Sequence, residues 1–167
     1  IGYLENFFEN EEYYLKVDIP FRTGIMLYGT PGSGKSSTAV AIANTLKMNV
    51  YIITLSAINN DEVLAELFSA IPDNSVIVLE DIDIVSAVKE RDENSSSGVT
   101  MSGMLNVLDG LSSAHGCVTI MTTNRLDVLD DAVIRPGRVD LLEHLDFIDS
   151  DQLRRICEYT MEMIPDD

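Results

Sequence analysis

Apolar residues recur along the chain with two different spacings, and segments of the two kinds alternate. Short runs of apolar and β-branched residues, bounded by turn-forming residues, predict buried strands. Between these runs, apolar positions three and four residues apart predict amphipathic helices. The predicted strands cover residues 24–28, 50–55, 75–79, 117–122 and 142–147. The predicted helices cover residues 2–16, 36–47, 61–71, 99–111 and 149–163, the last with Ser150 or Asp149 as its cap.

The order of these elements predicts the fold class. Strands that alternate with helices favour crossover connections, and therefore a mainly parallel sheet with helices packed against it. The strand at 75–79 is almost entirely apolar, which is typical of a strand covered on both faces. Because no repeat and no linker divides the chain, we expect one α/β domain with a five-stranded sheet. Residues 92–98 are small and polar and predict a mobile loop.

Composition narrows the possible functions. The chain has 167 residues, with 11 lysines and arginines against 28 aspartates and glutamates, which gives a formal net charge of −17. This acid excess argues against broad binding to nucleic acid or to an anionic membrane, because both require clustered basic residues. No apolar run is long enough to span a bilayer, and the first residues lack a secretion signal. The absence of an initiator methionine suggests a fragment, and Cys117 and Cys157 are expected to be reduced, buried thiols.

Residues 29–36, GTPGSGKS, carry the most specific chemical signal in the chain. They match G-x-x-x-x-G-K-[ST] and lie between a predicted strand and a predicted helix, where this motif binds nucleoside triphosphates. The glycines let backbone N–H groups turn toward an anion, Lys35 is expected to reach the terminal phosphates, and the Ser36 hydroxyl is expected to bind Mg²⁺. The alternative is a glycine-rich turn with a chance lysine. The predicted nucleotide-binding residues of this segment are Gly29, Thr30, Pro31, Gly32, Ser33, Gly34, Lys35, Ser36 and Ser37.

Two carboxylates, Glu80 and Asp81, follow the apolar strand at 75–79. Alternation along a strand sends neighbouring side chains to opposite faces, so one acid can serve Mg²⁺ while the other polarises an attacking water. The alternative is an acidic turn that ends a buried strand. Asp83, just beyond, is as well explained by a helix cap as by a ligand.

Polar and basic residues follow the fourth predicted strand. Because ligands bind at the carboxyl ends of parallel strands, Asn124 is placed to contact the γ-phosphate or the attacking water, unless it makes only a local turn bond. Arg135 and Arg138 stand in a rigid Arg-Pro-Gly-Arg turn, and arginine forks suit phosphate geometry. From the sequence, these arginines are not expected to reach the phosphate bound by their own chain, so they would act mainly at the site of a neighbouring subunit. The alternative is surface arginines paired with Asp130, Asp131 or Asp140.

Together, these motifs resemble the core of the AAA+ ATPases. The matching stretches are GTPGSGKS at 29–36, VIVLED at 76–81 and TTNRLDVLDDAVIRPGRVD at 122–140, which resembles that family's second region of homology. Within the superfamily, the chain resembles the subfamily of the mitochondrial Bcs-type chaperone, the translocase of the Rieske iron–sulfur protein. That likeness depends on IPFRTG at 19–24, on the acid order Glu80-Asp81 and on VTMSGMLNVLDG at 99–110. Bacterial and phage relatives of the subfamily exist, and the acidic composition suits them better.

The resemblance implies an α/β P-loop NTPase fold, a three-layer sandwich, and a mechanical function. Residues 1–148 would form the nucleotide-binding core, with 1–18 as a helical lead-in, and 149–167 would begin a truncated C-terminal lid. The implied protein is a homo-oligomeric ring, hexameric or heptameric, that hydrolyses ATP with Mg²⁺ and remodels or translocates a protein client. It would act in the cytoplasm, or facing the matrix at the mitochondrial inner membrane if it is a true Bcs-type protein, with no membrane contact through this segment.

The resemblance also assigns roles to single residues. Ser36 and Glu80 would bind the metal, Asp18 and Ile19 would flank the adenine mostly through their backbone, and Asn124 would be the first sensor. The two arginines would be fingers that act in trans. The implied catalytic residues are Glu80, Asp81, Asn124, Arg135 and Arg138.

Two departures from the family pattern keep alternatives open. Most AAA+ members have Asp before Glu at the acidic motif, so the shorter Asp81 stands here where the water-polarising acid is expected. An assembly scaffold that binds nucleotide and hydrolyses little is therefore the second hypothesis. Residues 56–59 lack the aromatic residue that protein-threading motors present to their pore, which favours another mode of client handling. A DNA-remodelling ATPase ranks lower, because the basic residues form no stripe.

Overall fold

Five strands form a single sheet at the centre of the molecule. The computed structural model describes residues 1–88, 98–110 and 115–162, with only the backbone of 86–88 and 159–162. The strands are β1 Arg22–Tyr28, β2 Asn49–Thr54, β3 Ser75–Glu80, β4 Cys117–Thr123 and β5 Leu141–His144. Their order is β2-β3-β4-β1-β5, and each neighbouring pair is parallel. The predicted α/β class and five-stranded sheet are confirmed, and the described sheet is wholly parallel.

Helices lie before, between and after the strands. They are α1 Gly2–Glu9, α2 Glu11–Lys16, α3 Lys35–Leu46, α4 Asp61–Ser69, α5 Asp83–Val88, α6 Met101–Asp109 and α7 Ser150–Glu162. The predicted single helix at 2–16 is wrong, because the chain breaks at Asn10, whose side-chain amide donates to the Asn6 carbonyl at 2.7 Å. The short α5 was not predicted. The predicted mobile loop lies outside the described residues except for Gly98.

Apolar clusters cover both faces of the sheet and give the molecule its three layers. One cluster packs α3, through Ala39 and Ala43, and α1, through Leu4, against Val76 and Val118. The other packs α4 and α6 against alternate residues of the same strands, such as Ile77. β3 is buried on both faces, as its apolar sequence predicts. Within the described residues, no helix has the length and apolar character needed to cross a bilayer.

The two cysteines differ in exposure. Cys117 is buried at the start of β4, whereas Cys157 is exposed on α7, and both are free thiols. The expectation of buried thiols is therefore wrong for Cys157. The reason is that every α7 side chain the structure describes is exposed to solvent.

Candidate nucleotide-binding site

Residues 29–34 form a loop between the carboxyl end of β1, which lies next to the middle strand β4, and the start of α3. Glycine is required at two of its positions. Gly29 has φ of 140°, and a Cβ there would lie 1.9 Å from the Leu145 carbonyl oxygen. Gly34 is left-handed, with φ of 88°, and is the N-cap residue of α3. The loop therefore ends on the N-terminus of a twelve-residue helix, where unpaired N–H groups and the helix dipole favour an anion.

Lys35 is the first residue of α3 and is only 7% exposed. Its ammonium donates to the Thr30 carbonyl at 2.8 Å and to the Gly29 carbonyl at 3.0 Å. A buried ammonium needs such partners, because an unpaired buried charge is strongly unfavourable. The side chain is thus folded back over the loop that the sequence predicts to hold phosphate.

A cavity of about 370 Å³ opens beside the loop and brings together half of the predicted site residues. Lys35 and Ser36 line it from the loop and helix side, and Asp81 and Asn124 line it from the ends of β3 and β4. The Ser36 and Asn124 side chains are exposed, so they are accessible to a ligand in the cavity. The complete lining is Pro31, Gly32, Gly34, Lys35, Ser36, Ser37, Asp81, Thr122 and Asn124.

The two acids of the motif occupy different environments. Asp81 lines the cavity, and its Oδ1 accepts a hydrogen bond from Asn124 Nδ2 at 3.4 Å. Glu80 is the last residue of β3, is half-buried and is not part of the cavity lining. Strand alternation does not govern this pair, because Asp81 lies beyond the strand with a left-handed backbone, φ 54°. The structure therefore places Asp81, and not Glu80, next to the loop.

Asp83 has a structural partner. It begins α5, and its Oδ1 accepts a hydrogen bond from the Thr123 hydroxyl at 3.0 Å. The same hydroxyl accepts from the Arg125 backbone N–H at 3.0 Å. Asp83 does not line the cavity. Of the two explanations that the sequence left open for Asp83, this geometry favours the helix terminus.

The two arginines of the turn at 135–138 differ in their exposure and in their side-chain partners. Arg138 is 15% exposed and forms a bidentate ion pair with Asp109, in which Nε lies 2.5 Å from Oδ1. Its Nη1 also donates a hydrogen bond to the Ala132 carbonyl. This guanidinium lowers the pKa of Asp109, and the carboxylate raises that of Arg138. Arg135 is exposed, and its side chain makes no hydrogen bond or ion pair with the residues the structure describes. Arg138 pairs with an acid that the sequence did not single out.

Asp140 fixes the arginine turn to the start of β1. Its Oδ2 accepts from the Gly24 N–H at 3.0 Å and from the Thr23 hydroxyl at 3.2 Å, while its Oδ1 accepts from the Gly137 N–H at 2.9 Å. The contact is so close that a Cβ on Gly24 would lie 1.7 Å from the Arg138 carbonyl oxygen. The exposed Arg135 therefore stands on a turn whose backbone is held in place.

A second cavity, about 510 Å³, adjoins the loop on its other side and was missed by sequence reasoning. Its apolar wall comes from Phe147, Ile148 and Ile156, which face α3 and the loop glycines. These three side chains are at least half exposed and together form an apolar patch beside the loop. Asp18 and Ile19, expected at the adenine, line neither cavity. If the last strand had been predicted to end at His144, Phe147 and Ile148 would have been recognised as residues beyond the carboxyl end of a strand, where ligands bind in parallel sheets.

A buried parallel strand, a GTPGSGKS loop, a helix and polar side chains from adjacent strand ends define a P-loop nucleoside triphosphatase. Residues 25–147 match the sequence profile of the ATPase family associated with various cellular activities (AAA), and the chain belongs to that family. It is also a Bcs-type relative. The chain is 39% identical over 164 residues to the human mitochondrial chaperone BCS1, an alignment covering 93% of this chain and 39% of that protein.

Two other relatives named as probable mitochondrial chaperones are similar to the chain to nearly the same extent. Identity to the probable mitochondrial chaperone BCS1-A of Dictyostelium discoideum is 40% over 148 residues, covering 83% of this chain and 35% of that protein. Identity to the probable mitochondrial chaperone bcs1 of Schizosaccharomyces pombe is 38% over 158 residues, covering 92% of this chain and 35% of that protein. The chain thus spans between 35% and 39% of the length of these relatives.

Proposed function

We propose that this chain is the ATP-hydrolysing core of a homo-oligomeric ring ATPase that remodels or translocates a protein client. The observation that carries the proposal is the single cavity that gathers Lys35, Ser36, Asp81 and Asn124. A phosphate-binding lysine, a hydroxyl, a carboxylate and an amide are the groups that phosphoryl transfer to water requires. Bound ATP would place its phosphates at the loop, and the apolar wall of Phe147, Ile148 and Ile156 offers a surface for its base.

The donor groups at the site fit Mg²⁺ that arrives with a nucleotide. Within the described residues, no group of three or more His, Cys, Asp or Glu side chains is arranged to hold a metal ion. Mg²⁺ does not need such a group, because it retains waters and binds through one or two protein oxygens plus phosphates. Ser36 would supply the hydroxyl, with Glu80 as the implied acid acting through water. The ion would neutralise charge that develops on the phosphates.

Asp81 is the proposed water-polarising group. Its carboxylate lies in the cavity, and Asn124 donates to one of its oxygens, so the other oxygen is available to accept from water. Asn124 would then orient both the carboxylate and the terminal phosphate. Lys35 would exchange the loop carbonyls for phosphate oxygens, a stronger pairing for an ammonium.

Arg135 is the proposed finger for a neighbouring subunit's site. It is the exposed arginine of a turn that β1 holds in place, whereas Arg138 is committed to Asp109 within its own chain. Mixing Arg135→Ala subunits with Asp81→Asn subunits tests this role, because some interfaces then combine an intact Asp81 with an intact Arg135. We expect the mixed rings to recover activity that neither variant has alone. Intact mixed rings without any recovery would contradict the trans role.

The client and compartment of the whole protein remain predictions. The relatives named mitochondrial chaperones support a protein client, and they favour the matrix-facing alternative over the cytoplasm. Residues 56–59 contain no aromatic side chain, which supports client handling other than threading an extended chain. The second candidate, a scaffold that binds ATP without turning it over, is supported only by the short acid at position 81.

The deciding experiment replaces Asp81 by asparagine in the assembled protein. We expect steady-state ATPase activity to fall by roughly 10² or more while ATP affinity, measured by calorimetry, stays within about twofold. Glu66→Gln, the same carboxylate-to-amide change on the exposed face of α4, serves as the control and should behave as wild type. Full activity in Asp81→Asn would overturn the assignment of Asp81. An assembled wild type that binds ATP without hydrolysing it would establish the scaffold instead.

A further inference from the structure

Asp81 has an unusual backbone for a residue that must present a carboxylate accurately. Four described non-glycine residues have positive φ, namely Asp18, Lys47, Asn74 and Asp81, and only the last lines the cavity at the phosphate loop. Left-handed backbone is unfavourable for residues with a Cβ, although Asp and Asn tolerate it better than longer side chains such as Glu. The conformation at 81 must therefore be held by its surroundings.

Thr122 supplies the hydrogen bonds that hold this turn. Its side-chain oxygen accepts from the Asp81 N–H at 3.2 Å, and its carbonyl oxygen accepts from the Ile82 N–H at 3.1 Å. The pairing of β3 with β4 ends at Leu79 and Met121, so these two bonds lie just beyond the regular ladder. One residue of β4 thus fixes two successive amides as the chain leaves β3.

The hydroxyl, and not only the shape of Thr122, is needed for this contact. Thr122 is 2% exposed, and its side-chain oxygen is the acceptor that the structure gives to the Asp81 N–H, so removing that oxygen removes a hydrogen bond that holds the turn. Valine has nearly the same shape as threonine but offers no acceptor. Serine keeps the acceptor and loses a methyl group. Comparing the two replacements therefore separates the hydrogen bond from the packing.

We infer that Thr122 is the positioning residue for Asp81: its hydroxyl holds the left-handed turn that places the Asp81 carboxylate in the cavity, 3.4 Å from the Asn124 amide. This inference rests on the proposed role of Asp81 in hydrolysis. It also explains why aspartate and not the longer glutamate stands at position 81, because aspartate tolerates a left-handed backbone better than glutamate does. Thr122 acts through Asp81 and is not assigned a contact with the reacting atoms.

The test compares Thr122→Val, Thr122→Ser and a control, Thr119→Val, in the assembled protein. Thr119 lies on the same strand, is half-buried and makes no side-chain hydrogen bond with the described residues. We expect Thr122→Val to lower kcat by about 10- to 100-fold, since a misplacement of roughly 1 Å has effects of that size. Its KM for ATP and its ADP affinity should stay within about twofold, because the phosphate loop is intact. Thr122→Ser and Thr119→Val should retain kcat within about threefold of wild type.

Several results would overturn the inference. Wild-type kcat in Thr122→Val would do so, and so would equal losses in the valine and serine variants, which would assign the effect to packing. If the valine variant does not fold, Thr122→Ala also lacks the hydroxyl and carries the same expectation. If assembled wild type does not hydrolyse ATP, the proposed function fails separately, and the crystal structure of Thr122→Val decides the positioning. A left-handed Asp81 retained in that structure would refute the inference.

Discussion

Replacing Arg138 by alanine is expected to destabilise the fold, whereas replacing Arg135, three residues earlier in the same turn, is not. The Arg138 guanidinium is mostly buried and bonded to both oxygens of Asp109 and to the Ala132 carbonyl. Arg135 is exposed and has no side-chain partner among the described residues. The two substitutions remove the same side chain from the same turn, so each is the control for the other.

The magnitude follows from the contacts. Hydrogen bonds to charged groups contribute roughly 1.5–3 kcal/mol each when they are well buried. Arg138 is 15% exposed, but Asp109 is 52% exposed, so solvent screens much of the pair and the contribution must be reduced. We expect Arg138→Ala to lower the free energy of unfolding by about 2 kcal/mol. For a chain of this size that corresponds to a fall in Tm of about 4–8 °C.

The pH dependence provides an independent check. Arg138 holds the pKa of Asp109 below its usual value of 3.8 in the folded protein. A carboxylate with a lowered folded pKa adds stability above its unfolded pKa, and this stability is lost as pH falls through the folded pKa. The difference in stability between wild type and Arg138→Ala should therefore be constant from neutral pH down to about 5, and shrink below about 4.

Thermal unfolding followed by circular dichroism measures both effects. At pH 7 we expect Arg135→Ala to melt within about 1 °C of wild type and Arg138→Ala to melt clearly lower. Equal melting temperatures for the two variants at neutral pH would refute the claim that Arg138 stabilises the fold and Arg135 does not. A stability difference that grows on acidification would refute the assignment of the ion pair.

Two further predictions concern packing and thiol exposure. Gly24→Ala should lower the free energy of unfolding by about 1–3 kcal/mol in urea titrations, because its methyl group would clash with the Arg138 carbonyl; Gly2→Ala, which meets nothing within 4 Å, should not. Cys157 should react with an aromatic disulfide reagent in the folded protein, while Cys117, whose pKa is raised by burial, should react only on unfolding. Prompt reaction of two thiols in the native protein would contradict the second prediction.

The phosphate loop could be predicted from sequence because its chemistry is local. Eight consecutive residues determine both its backbone and the groups it presents, and the strand before it and the helix after it are visible in the apolar pattern. The partner of Arg138 could not be predicted in the same way. Asp109 lies 29 residues away, and only the packing of α6 beside the turn brings it into contact. The nearer acids that the sequence offered as partners do not bind this side chain.

Element ends were harder to predict than element types, for a physical reason. The last predicted strand was extended to Phe147, but the ladder between β1 and β5 ends at the pair Tyr28–His144. Beyond that point, Phe147 and Ile148 line a cavity and do not continue the sheet. Periodicity reports which residues avoid water, and it does not distinguish a core residue from one that borders a binding cavity. The apolar wall of the site was missed for this reason.

One strand connects the arginine turn to the phosphate loop. At its start, Gly24 packs against the arginine turn and shares two hydrogen bonds with Asp140; at its end, Gly29 opens the phosphate loop. The five residue steps between these glycines span about 16 Å of extended chain. β1 lies between β4 and β5 and its middle five residues are buried, so it is among the stiffest parts of the fold. One buried strand therefore sets the distance and orientation between the phosphate loop and the turn that carries Arg135, the arginine proposed to act at a neighbouring subunit.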